Sequence, residues 1–277
     1  MGTGLIAATA ALGSAAGAYL GLLGYLFVVQ RRILFLREPE RPDLAACGLA
    51  DVVRPVQLVT ADGLGLLAWY RPPPSSAVPL LVFLHGNAGH IGHRADRVRP
   101  YVEAGWGLLL VEYRGYGGNP GAPCERGLYA DARAALAFAR AQGVADGRIV
   151  LYGESLGAAV AVQMAVEHKV GALVLEAPFC SVGTSAVHRY PLFPMARWLV
   201  RDKFDSLAKI ACVRAPLLVL HGERDQVTPP RFGRTLLASA KAPKEGRFYP
   251  EGGHVDLDQF GAAEAVIDFV RRRLAAP

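Results

Sequence analysis

The sequence predicts an α/β fold with a mostly parallel central sheet, helices on both faces and a short lid segment, preceded by one N-terminal transmembrane helix. Three observations support this prediction. Short apolar runs typical of buried strands alternate with helical stretches, a pattern that favours a parallel sheet. A long uncharged run opens the chain. One strand-to-helix junction carries Gly153-Glu154-Ser155-Leu156-Gly157, a G-x-S-x-G motif.

Residues 1–37 predict a membrane anchor with a basic flank. About 20 apolar residues span a bilayer, and the stretch from Leu5 to Val29 is longer than that and uncharged. Three arginines follow it: Arg31, Arg32 and Arg37. Since Lys and Arg are enriched on the cytoplasmic side, we expect a single-pass protein with its folded domain in the cytoplasm. A cleaved signal sequence is the alternative, because Ala16-Gly17-Ala18 resembles a cleavage site, although a signal would be shorter and begin with positive charge.

Three glycines lie four residues apart in the predicted membrane helix: Gly13, Gly17 and Gly21. Small residues at this spacing let two membrane helices approach closely, so we expect that a homodimer can form through this helix. The alternative is a general bias, because Gly and Ala are frequent throughout the chain.

A linker over residues 38–51 connects the anchor to a catalytic domain over residues 52–277. The first two strands form a hairpin around Ala61-Asp62-Gly63. Apolar runs predict strands at 52–60, 64–70, 80–84, 108–113, 148–152, 172–175, 216–222 and 247–250. Helical patterns predict helices at 91–104, 126–142, 156–167 and 255–273, with a further helix opening near Pro229. The sequence contains no visible internal repeat.

Ser155 lies where a short apolar strand turns sharply into a helix rich in small residues. Such a turn exposes the serine, and the flanking glycines permit close backbone approach, which is the geometry of a nucleophile. The alternative is an ordinary helix-capping serine.

A nucleophilic serine needs a base and an acid that orients the base. Asp225 follows a buried strand and His254 follows the last strand, so both fall on loops at the carboxyl edge of the sheet. We therefore predict that Ser155, Asp225 and His254 form a catalytic triad. The alternatives are a turn role for Asp225, a surface histidine at 254, and three rival acids: Glu176, Asp256 and Asp258.

Backbone N–H groups must also stabilise the oxyanion of the tetrahedral intermediate. Leu156, at the start of the helix after the nucleophile, should supply one donor. The second should come from the loop His85-Gly86-Asn87-Ala88-Gly89, for which we assign Asn87, with Ala88 as the alternative. A glycine-rich turn without this role is the competing interpretation.

These segments resemble α/β-hydrolase-fold serine hydrolases, and in particular the single-pass, membrane-anchored subfamily related to ABHD-type depalmitoylases and bud-emergence-type hydrolases. The resemblance covers about residues 52–273. It rests on the serine motif, the Asp225 and His254 loops, and four further segments: His85–Gly89, Tyr113–Gly117, Gly127–Ala132 and Leu175–Phe179. It implies the same triad as the residue patterns.

Two features depart from that subfamily. The depalmitoylases carry a cysteine-rich, lipidated N-terminus, whereas the first cysteine here is Cys47. This difference weakens the expectation of a protein-depalmitoylase substrate and leaves acyl-ester or thioester chemistry intact. Glu112, before Tyr113, stands where an aspartate is expected.

Residues 178–213 interrupt the alternation of strands and helices. The aromatic and apolar stretches Tyr190–Pro194 and Trp198–Val200 fall at the predicted site edge. We expect a short lid that lines an apolar acyl pocket. The alternative is a connecting helix that packs on the sheet.

The sequence therefore predicts a membrane-anchored hydrolase of acyl esters or thioesters that works through an acyl-enzyme. An aminopeptidase-like amidase and a catalytically silent membrane scaffold are the alternatives. The net charge is +6, but the basic residues do not form the stripe that is typical of a nucleic-acid-binding domain, so we expect no nucleic-acid partner. Four scattered cysteines give no metal-like spacing, and we expect neither a disulfide framework, a metal nor a cofactor.

Overall fold

A long N-terminal helix and an eight-stranded sheet dominate the computed structural model, which describes residues 2–274. The helices are α1 (Gly2–Leu34), α2 (Ala95–Glu103), α3 (Glu125–Ala141), α4 (Leu156–Glu167), α5 (Val182–Arg189), α6 (Ala196–Leu199), α7 (Leu207–Ile210), α8 (Pro230–Ser239) and α9 (Ala262–Leu274). Short 3₁₀ turns cover Ile91–Arg94, Asp146–Arg148 and Leu257–Phe260.

The strands are β1 (Leu36–Arg37), β2 (Arg54–Val59), β3 (Gly65–Arg71), β4 (Leu80–Leu84), β5 (Ala88–Gly89), β6 (Gly107–Val111), β7 (Ile149–Glu154), β8 (Ala172–Glu176), β9 (Leu217–Gly222) and β10 (Lys244–Tyr249). The main sheet has the order β10-β9-β8-β7-β4-β6-β3-β2. Strand β3 pairs antiparallel with β2 and β6, and all other neighbours in this sheet run parallel. The predicted α/β fold is thus confirmed.

The central strands are buried on both faces. In β4, Val82 and Leu84 pack into one apolar cluster while Leu81 and Phe83 pack into the other. This explains why β4 reads as an unbroken apolar run, since each successive side chain points to the opposite, equally covered face. The carboxyl ends of β4, β7, β8 and β9 therefore meet at one edge, above two apolar layers.

Three predicted elements differ from those in the structure by three residues or more at one end. The helix expected at 91–104 begins as a 3₁₀ turn and becomes α-helical only at Ala95. The helix expected from residue 255 starts at Ala262, because Gly261 adopts a left-handed conformation with φ 81°. Strand β10 begins at Lys244, earlier than predicted, because it pairs with β9 at a sheet edge whose exposure permits polar side chains.

Helix α1 is the long apolar helix that the sequence predicted. Within the described chain, Thr9–Leu34 is the stretch long and apolar enough to cross a membrane, and a signal sequence near the N-terminus would meet the same test. Its C-terminal end is tied to the folded domain. Asn87 Nδ2 donates to Leu34 O at 3.0 Å, and β1 pairs with β5 directly beyond.

The lid segment (residues 178–213) leaves the sheet after β8 and returns before β9. It contains the short helices α5, α6 and α7. The two ends of the excursion are held together, since Val182 N donates to Lys203 O at 2.9 Å and Leu207 N donates to Cys180 O at 3.0 Å. The segment is thus a closed loop anchored at the carboxyl edge of the sheet.

Candidate active site

Ser155 occupies the turn between β7 and α4 in a strained conformation. Its φ of 51° and ψ of −108° are sparsely populated for a residue with a side chain. The turn is held by the Ser155 N–H, which donates to Glu176 O at 2.9 Å. A side-chain carbon at Gly157 would overlap Leu84 O and come within 2.6 Å of His85 O, so glycine is required for α4 to approach β4 this closely.

The structure brings Ser155, His254 and Asp225 together from three separate loops. His254 Nε2 lies 3.1 Å from Ser155 Oγ, and His254 Nδ1 lies 2.7 Å from Asp225 Oδ2. With the Nδ1 proton donated to the carboxylate, the Nε2 lone pair faces the serine hydroxyl. This is the geometry that removes a proton from a nucleophile as it attacks.

Asp225 is a fully engaged, buried carboxylate. Its Oδ1 accepts the backbone N–H groups of Val227 and Thr228, each at 2.8 Å, and its Oδ2 also accepts Thr228 Oγ1 at 2.9 Å. Burial disfavours the charge, but hydrogen bonds from His221 and His254 outweigh it and hold the pKa of Asp225 well below its usual value. The carboxylate is therefore ionised beside His254. The alternative interpretation of Asp225, as a residue that stabilises a turn, also holds, because its side chain accepts the N–H groups of Val227 and Thr228.

The rival acids bond elsewhere. Glu176 accepts Arg97 and the Tyr152 hydroxyl, and Asp258 accepts Arg97 Nε at 2.7 Å. Asp256 accepts the Gly253 N–H at 2.6 Å. In the described hydrogen bonds, Asp225 is the carboxylate that meets the His254 ring.

The backbone amides of the two predicted oxyanion donors are free of the described hydrogen bonds. Among the hydrogen bonds of residues 2–274, none has the N–H of Leu156 or of Asn87 as donor. The other groups of Asn87 are fixed, because its carbonyl accepts Leu36 N at 3.0 Å and the Tyr116 hydroxyl at 2.9 Å. The loop carrying Asn87 is therefore held in place while its amide remains available to a ligand, as an oxyanion donor must be.

His85 supports the start of this loop. Its Nδ1 lies 2.8 Å from Gly86 O, and its Nε2 lies 2.9 Å from Glu112 Oε1. Glu112 also accepts the Ile91 N–H at 2.9 Å through its other oxygen. The glutamate found where an aspartate was expected therefore links the end of β6 to both ends of the loop that follows β4.

A buried charge cluster below Ser155 was not predicted. Glu154 accepts Arg94 Nη2 and Arg97 Nη1, each at 2.7 Å, and Arg97 also reaches Glu176 and Asp258. Burial raises the pKa of Glu154, yet the two arginines overcome it and lower the pKa to about 2. Sequence reasoning missed the cluster because its five members come from five different elements. The charged residue inside the serine motif was the available signal.

One group of side chains has the composition of a metal site. Glu38, His90 and His93 each place a potential ligand atom within 4.8 Å of the others. However, His90 Nδ1 accepts the Gly92 N–H, so the neutral ring carries its proton on Nε2, the nitrogen facing Glu38 at 3.7 Å. That tautomer fits a histidine–carboxylate contact better than a metal ligand. Sequence patterns did not indicate this group, because Glu38 is distant from the two histidines along the chain.

The fold and the strained serine turn define a class of protein, and comparison with known proteins identifies the same class. A family model described as serine aminopeptidase, S33, matches residues 75–209. The Arabidopsis thaliana α/β-hydrolase domain-containing protein WAV2 is 32% identical over 224 residues, covering 73% of this chain and 72% of WAV2. The chain belongs to the α/β-hydrolase family.

Similarity also extends to proteins outside plants. An uncharacterised protein of Mycobacterium tuberculosis is 38% identical over 256 residues, covering 92% of this chain and 90% of its own. Among solved structures, the Pyrococcus furiosus esterase Pf2001 aligns with a TM-score of 0.70 at 18% identity, over 87% of this chain and 99% of the esterase. The latter likeness concerns the fold.

Proposed function

We propose that this protein is a membrane-anchored serine hydrolase that cleaves carboxylic esters or thioesters of acyl, lipid-like substrates. The observation that carries the proposal is the chain of contacts from Ser155 Oγ through the His254 ring to Asp225, at 3.1 and 2.7 Å. The fold likeness to an esterase agrees with ester chemistry. No step of this chemistry needs a cofactor.

The proposed reaction has two halves. His254 Nε2 takes the Ser155 hydroxyl proton while the oxygen attacks the substrate carbonyl, and the Leu156 and Asn87 amides donate to the resulting oxyanion. His254 then protonates the departing alcohol or thiol, which leaves an acyl-serine. In the second half His254 removes a proton from water, which attacks the acyl-serine and releases the acid with Ser155 restored.

Helix α1 supports the membrane part of the proposal. Its candidate span, Thr9–Leu34, is almost wholly exposed in the folded chain, and an apolar helix in water would be costly. Arg31 and Arg32 close the helix at its domain-proximal end. We propose that α1 anchors the protein and that the domain lies on the cytoplasmic side, because the arginines flank the span there.

The second candidate function is an aminopeptidase-like amidase, which the description of the matching family model favours. An aminopeptidase must hold the substrate's α-ammonium group, and a carboxylate usually does so. The lid segment up to Arg201 contains neither Asp nor Glu and carries three arginines. The two acids beyond it are already bonded, since Asp202 accepts Arg31 Nε and Asp205 accepts the Ala208 N–H. This charge pattern favours an apolar acyl group over an ammonium. A silent scaffold would not need Ser155 strained and in contact with His254.

The test is hydrolysis of p-nitrophenyl esters of graded chain length by the full-length protein in detergent. Ser155→Ala should lower kcat by at least about 10⁴-fold, because it removes the nucleophile while leaving the fold intact. Ser76→Ala, in an exposed loop, is the matched control and should retain full activity. A loss below tenfold in Ser155→Ala would contradict the assignment of the nucleophile.

Assays of the same full-length protein with different substrates identify the substrate class. Turnover that peaks with medium or long acyl chains supports the lipid-like substrate. Hydrolysis of aminoacyl p-nitroanilides in preference to every ester would instead establish the amidase. Absence of both turnover and fluorophosphonate labelling at Ser155 would favour the scaffold.

A further inference from the structure

Helix α1 packs against part of the lid that we call the lid tip (residues 189–201). The Tyr19 ring stacks on Phe193, with centroids 5.5 Å apart and ring planes 13° apart. Nearer the domain, Gln30 Nε2 donates to Leu199 O at 3.3 Å and Arg201 N donates to Gln30 Oε1 at 2.7 Å. The tip is thus attached to α1 from Tyr19 to Gln30, which is nearly half of the candidate span Thr9–Leu34.

This attachment fixes the depth of the lid tip if α1 crosses a membrane. Tyr19 precedes Arg31 by about 18 Å along the helix axis, at 1.5 Å per residue. The hydrocarbon layer is about 30 Å thick, so a residue 18 Å from the charged end lies near its middle. With Arg31 at the interface, the tip runs from Leu199, beside Gln30 at that interface, to Phe193 near the bilayer midplane, and so it occupies the depth of the proximal leaflet.

The surface of the lid tip suits that environment. Four large apolar or aromatic side chains are exposed on it: Tyr190, Leu192, Met195 and Trp198, with Leu192 at 81% and Trp198 at 63% exposure. Such a concentration on a short segment is costly in water and marks a contact surface. Aromatic residues are enriched where lipid meets water.

The charges of the tip fit one kind of partner. From Ala177 to Arg201 the chain has no acidic residue, and the basic ones are Arg189, Arg197 and Arg201, all exposed. Basic residues beside exposed aromatic and aliphatic side chains are typical of segments that lie in the interface of an anionic leaflet. A water-soluble protein partner would not need continuity with a membrane-spanning helix.

Both ends of this unit lead to the reactive serine. At the base of the lid, the Thr228 hydroxyl oxygen lies between Ala177 O, at 3.0 Å, and Asp225 Oδ2, at 2.9 Å, and shares its one proton between these acceptors. At the end of α1, Leu34 O accepts a hydrogen bond from the side-chain amide of Asn87. The backbone N–H of the same residue is the proposed oxyanion donor. The membrane helix and the lid therefore meet the site edge from two directions.

We infer that the lid tip inserts into the proximal leaflet beside α1, so that Ser155 receives its acyl substrate directly from the bilayer. The partner of the exposed tip is the lipid itself, and the substrate class is an amphiphilic ester resident in the membrane. This inference rests on the proposed membrane-anchored hydrolase, whose substrate it narrows. A substrate dissolved in water would not need the tip.

Trp198 reports insertion without a label. Of the three tryptophans, Trp69 and Trp106 are buried and Trp198 is exposed. The full-length protein is reconstituted in phosphatidylcholine–phosphatidylserine vesicles whose acyl chains carry bromine, which quenches tryptophan by contact. We expect a loss of emission in the wild type that the Trp198→Phe variant does not show.

The matched control moves the probe to a surface away from the lid. Val59, on the edge strand β2, is 71% exposed, so Trp198→Phe combined with Val59→Trp places an exposed tryptophan there. This protein should show no bromine-dependent loss. Equal quenching of both proteins, or of neither, overturns the insertion of the tip.

Activity tests the entry route. Leu192→Glu puts a charge on the tip, which lipid disfavours, and should reduce hydrolysis of a vesicle-borne acyl ester by at least about tenfold. Hydrolysis of p-nitrophenyl acetate in solution should not change, since this small substrate does not have to leave a bilayer and the Leu192 side chain is 81% exposed. Val59→Glu is the control and should affect neither substrate.

The outcomes separate the two proposals. Equal loss of both substrates in Leu192→Glu, or no loss of either, overturns the entry route while leaving the hydrolase intact. Concentration-dependent crosslinking between tips in vesicles, with Trp198 unquenched, would show that a second copy of the chain covers the surface. Failure of wild-type protein to cleave either ester or to react with a fluorophosphonate would instead overturn the proposed function.

Discussion

At the scale of single residues, the carboxylate behind His254 decides whether the imidazole has the right tautomer. Asp225 Oδ2 accepts the Nδ1 proton at 2.7 Å, which leaves Nε2 to face the serine. Asp225→Asn should lower kcat by roughly three to four orders of magnitude, because a neutral amide does not hold that tautomer. The measurement is ester hydrolysis under saturating substrate.

Asp256→Asn is the matched control for this prediction. Asp256 lies two residues after His254 and accepts the Gly253 N–H rather than the ring. Its loss should cost less than about tenfold. A larger loss of kcat in Asp256→Asn than in Asp225→Asn would show that Asp256, and not Asp225, orients the His254 ring.

Glu154 makes stability depend on pH. Its pKa falls from an ordinary 4.5 to about 2 in the folded protein, so the folded state binds fewer protons than the unfolded one. The stability from this group is therefore present above pH 4.5 and is lost as the pH falls towards 2. Glu154→Gln should lower the melting temperature at pH 7, and its difference from wild type should shrink with acidification.

Thermal melts of the detergent-solubilised protein between pH 7 and pH 3 test this sign. Glu103→Gln, on an exposed position of α2, should follow the wild-type curve throughout. A difference between Glu154→Gln and wild type that stays constant, or grows, as the pH falls would contradict the charged pairing of Glu154 with Arg94 and Arg97.

At the scale of elements, local patterns in the sequence predicted what local physics determines. The helix at 156–167 was predicted with the bounds that the structure has, because a glycine turn begins it and small apolar residues continue it. The triad loops were placed correctly because each follows a strand of a parallel sheet. The structure brings Ser155, Asp225 and His254 into contact, as predicted; their catalytic roles remain predictions.

What the sequence could not supply is contact between distant elements. Arg97 reaches Glu154, Glu176 and Asp258 across large separations in the chain, and no spacing rule encodes such a meeting. The stacking of Tyr19 on Phe193 is similar. The sequence did not decide whether residues 178–213 form a lid or a connecting helix that packs on the sheet. Part of this segment packs against α1 instead, and a contact with that distant helix could not be predicted from local patterns.

The close fit of α4 against β4 makes its own prediction. Gly157→Ala would place a carbon against Leu84 O and His85 O, so the helix must shift away and the turn at Ser155 must relax. We expect destabilisation of about 1–3 kcal/mol or more and loss of fluorophosphonate labelling. Gly147→Ala, where no atom lies within 4 Å, is the control. Unchanged labelling in Gly157→Ala would contradict the packing.

At the scale of the whole molecule, the C-terminal end of helix α1 is bonded to the folded domain. Arg31 Nε donates to buried Asp202 Oδ2 at 2.7 Å, and Asp202 Oδ1 accepts the Glu125 N–H at 2.9 Å, so the end of α1 is joined through the lid to α3. Partly buried, bidentate pairs of this kind resist rotation better than exposed ones. In the proposed membrane-anchored protein, the orientation of α1 in the bilayer would therefore set the orientation of the site.

In the proposed anchor, the face of α1 with Gly13, Gly17 and Gly21 is open for association. A side-chain carbon at any of the three would meet no atom within 4 Å, so the folded domain does not cover them. The predicted homodimer stays a prediction on this basis. If crosslinking of cysteines placed on this face of α1 in membranes yields only monomer, the predicted homodimer is wrong.

The side of the membrane is the last prediction. The domain-proximal end of α1 carries Arg31 and Arg32, the lid tip adds three more arginines, and the distal end has none among residues 2–29. Moving five guanidinium groups across the bilayer during insertion is unfavourable, so the domain should stay in the cytoplasm. A membrane-impermeant fluorophosphonate should therefore label Ser155 only after cells are permeabilised, whereas a permeant analogue should label it in intact cells. Labelling of intact cells by the impermeant probe, absent in Ser155→Ala, would place the domain outside and reverse the assigned orientation.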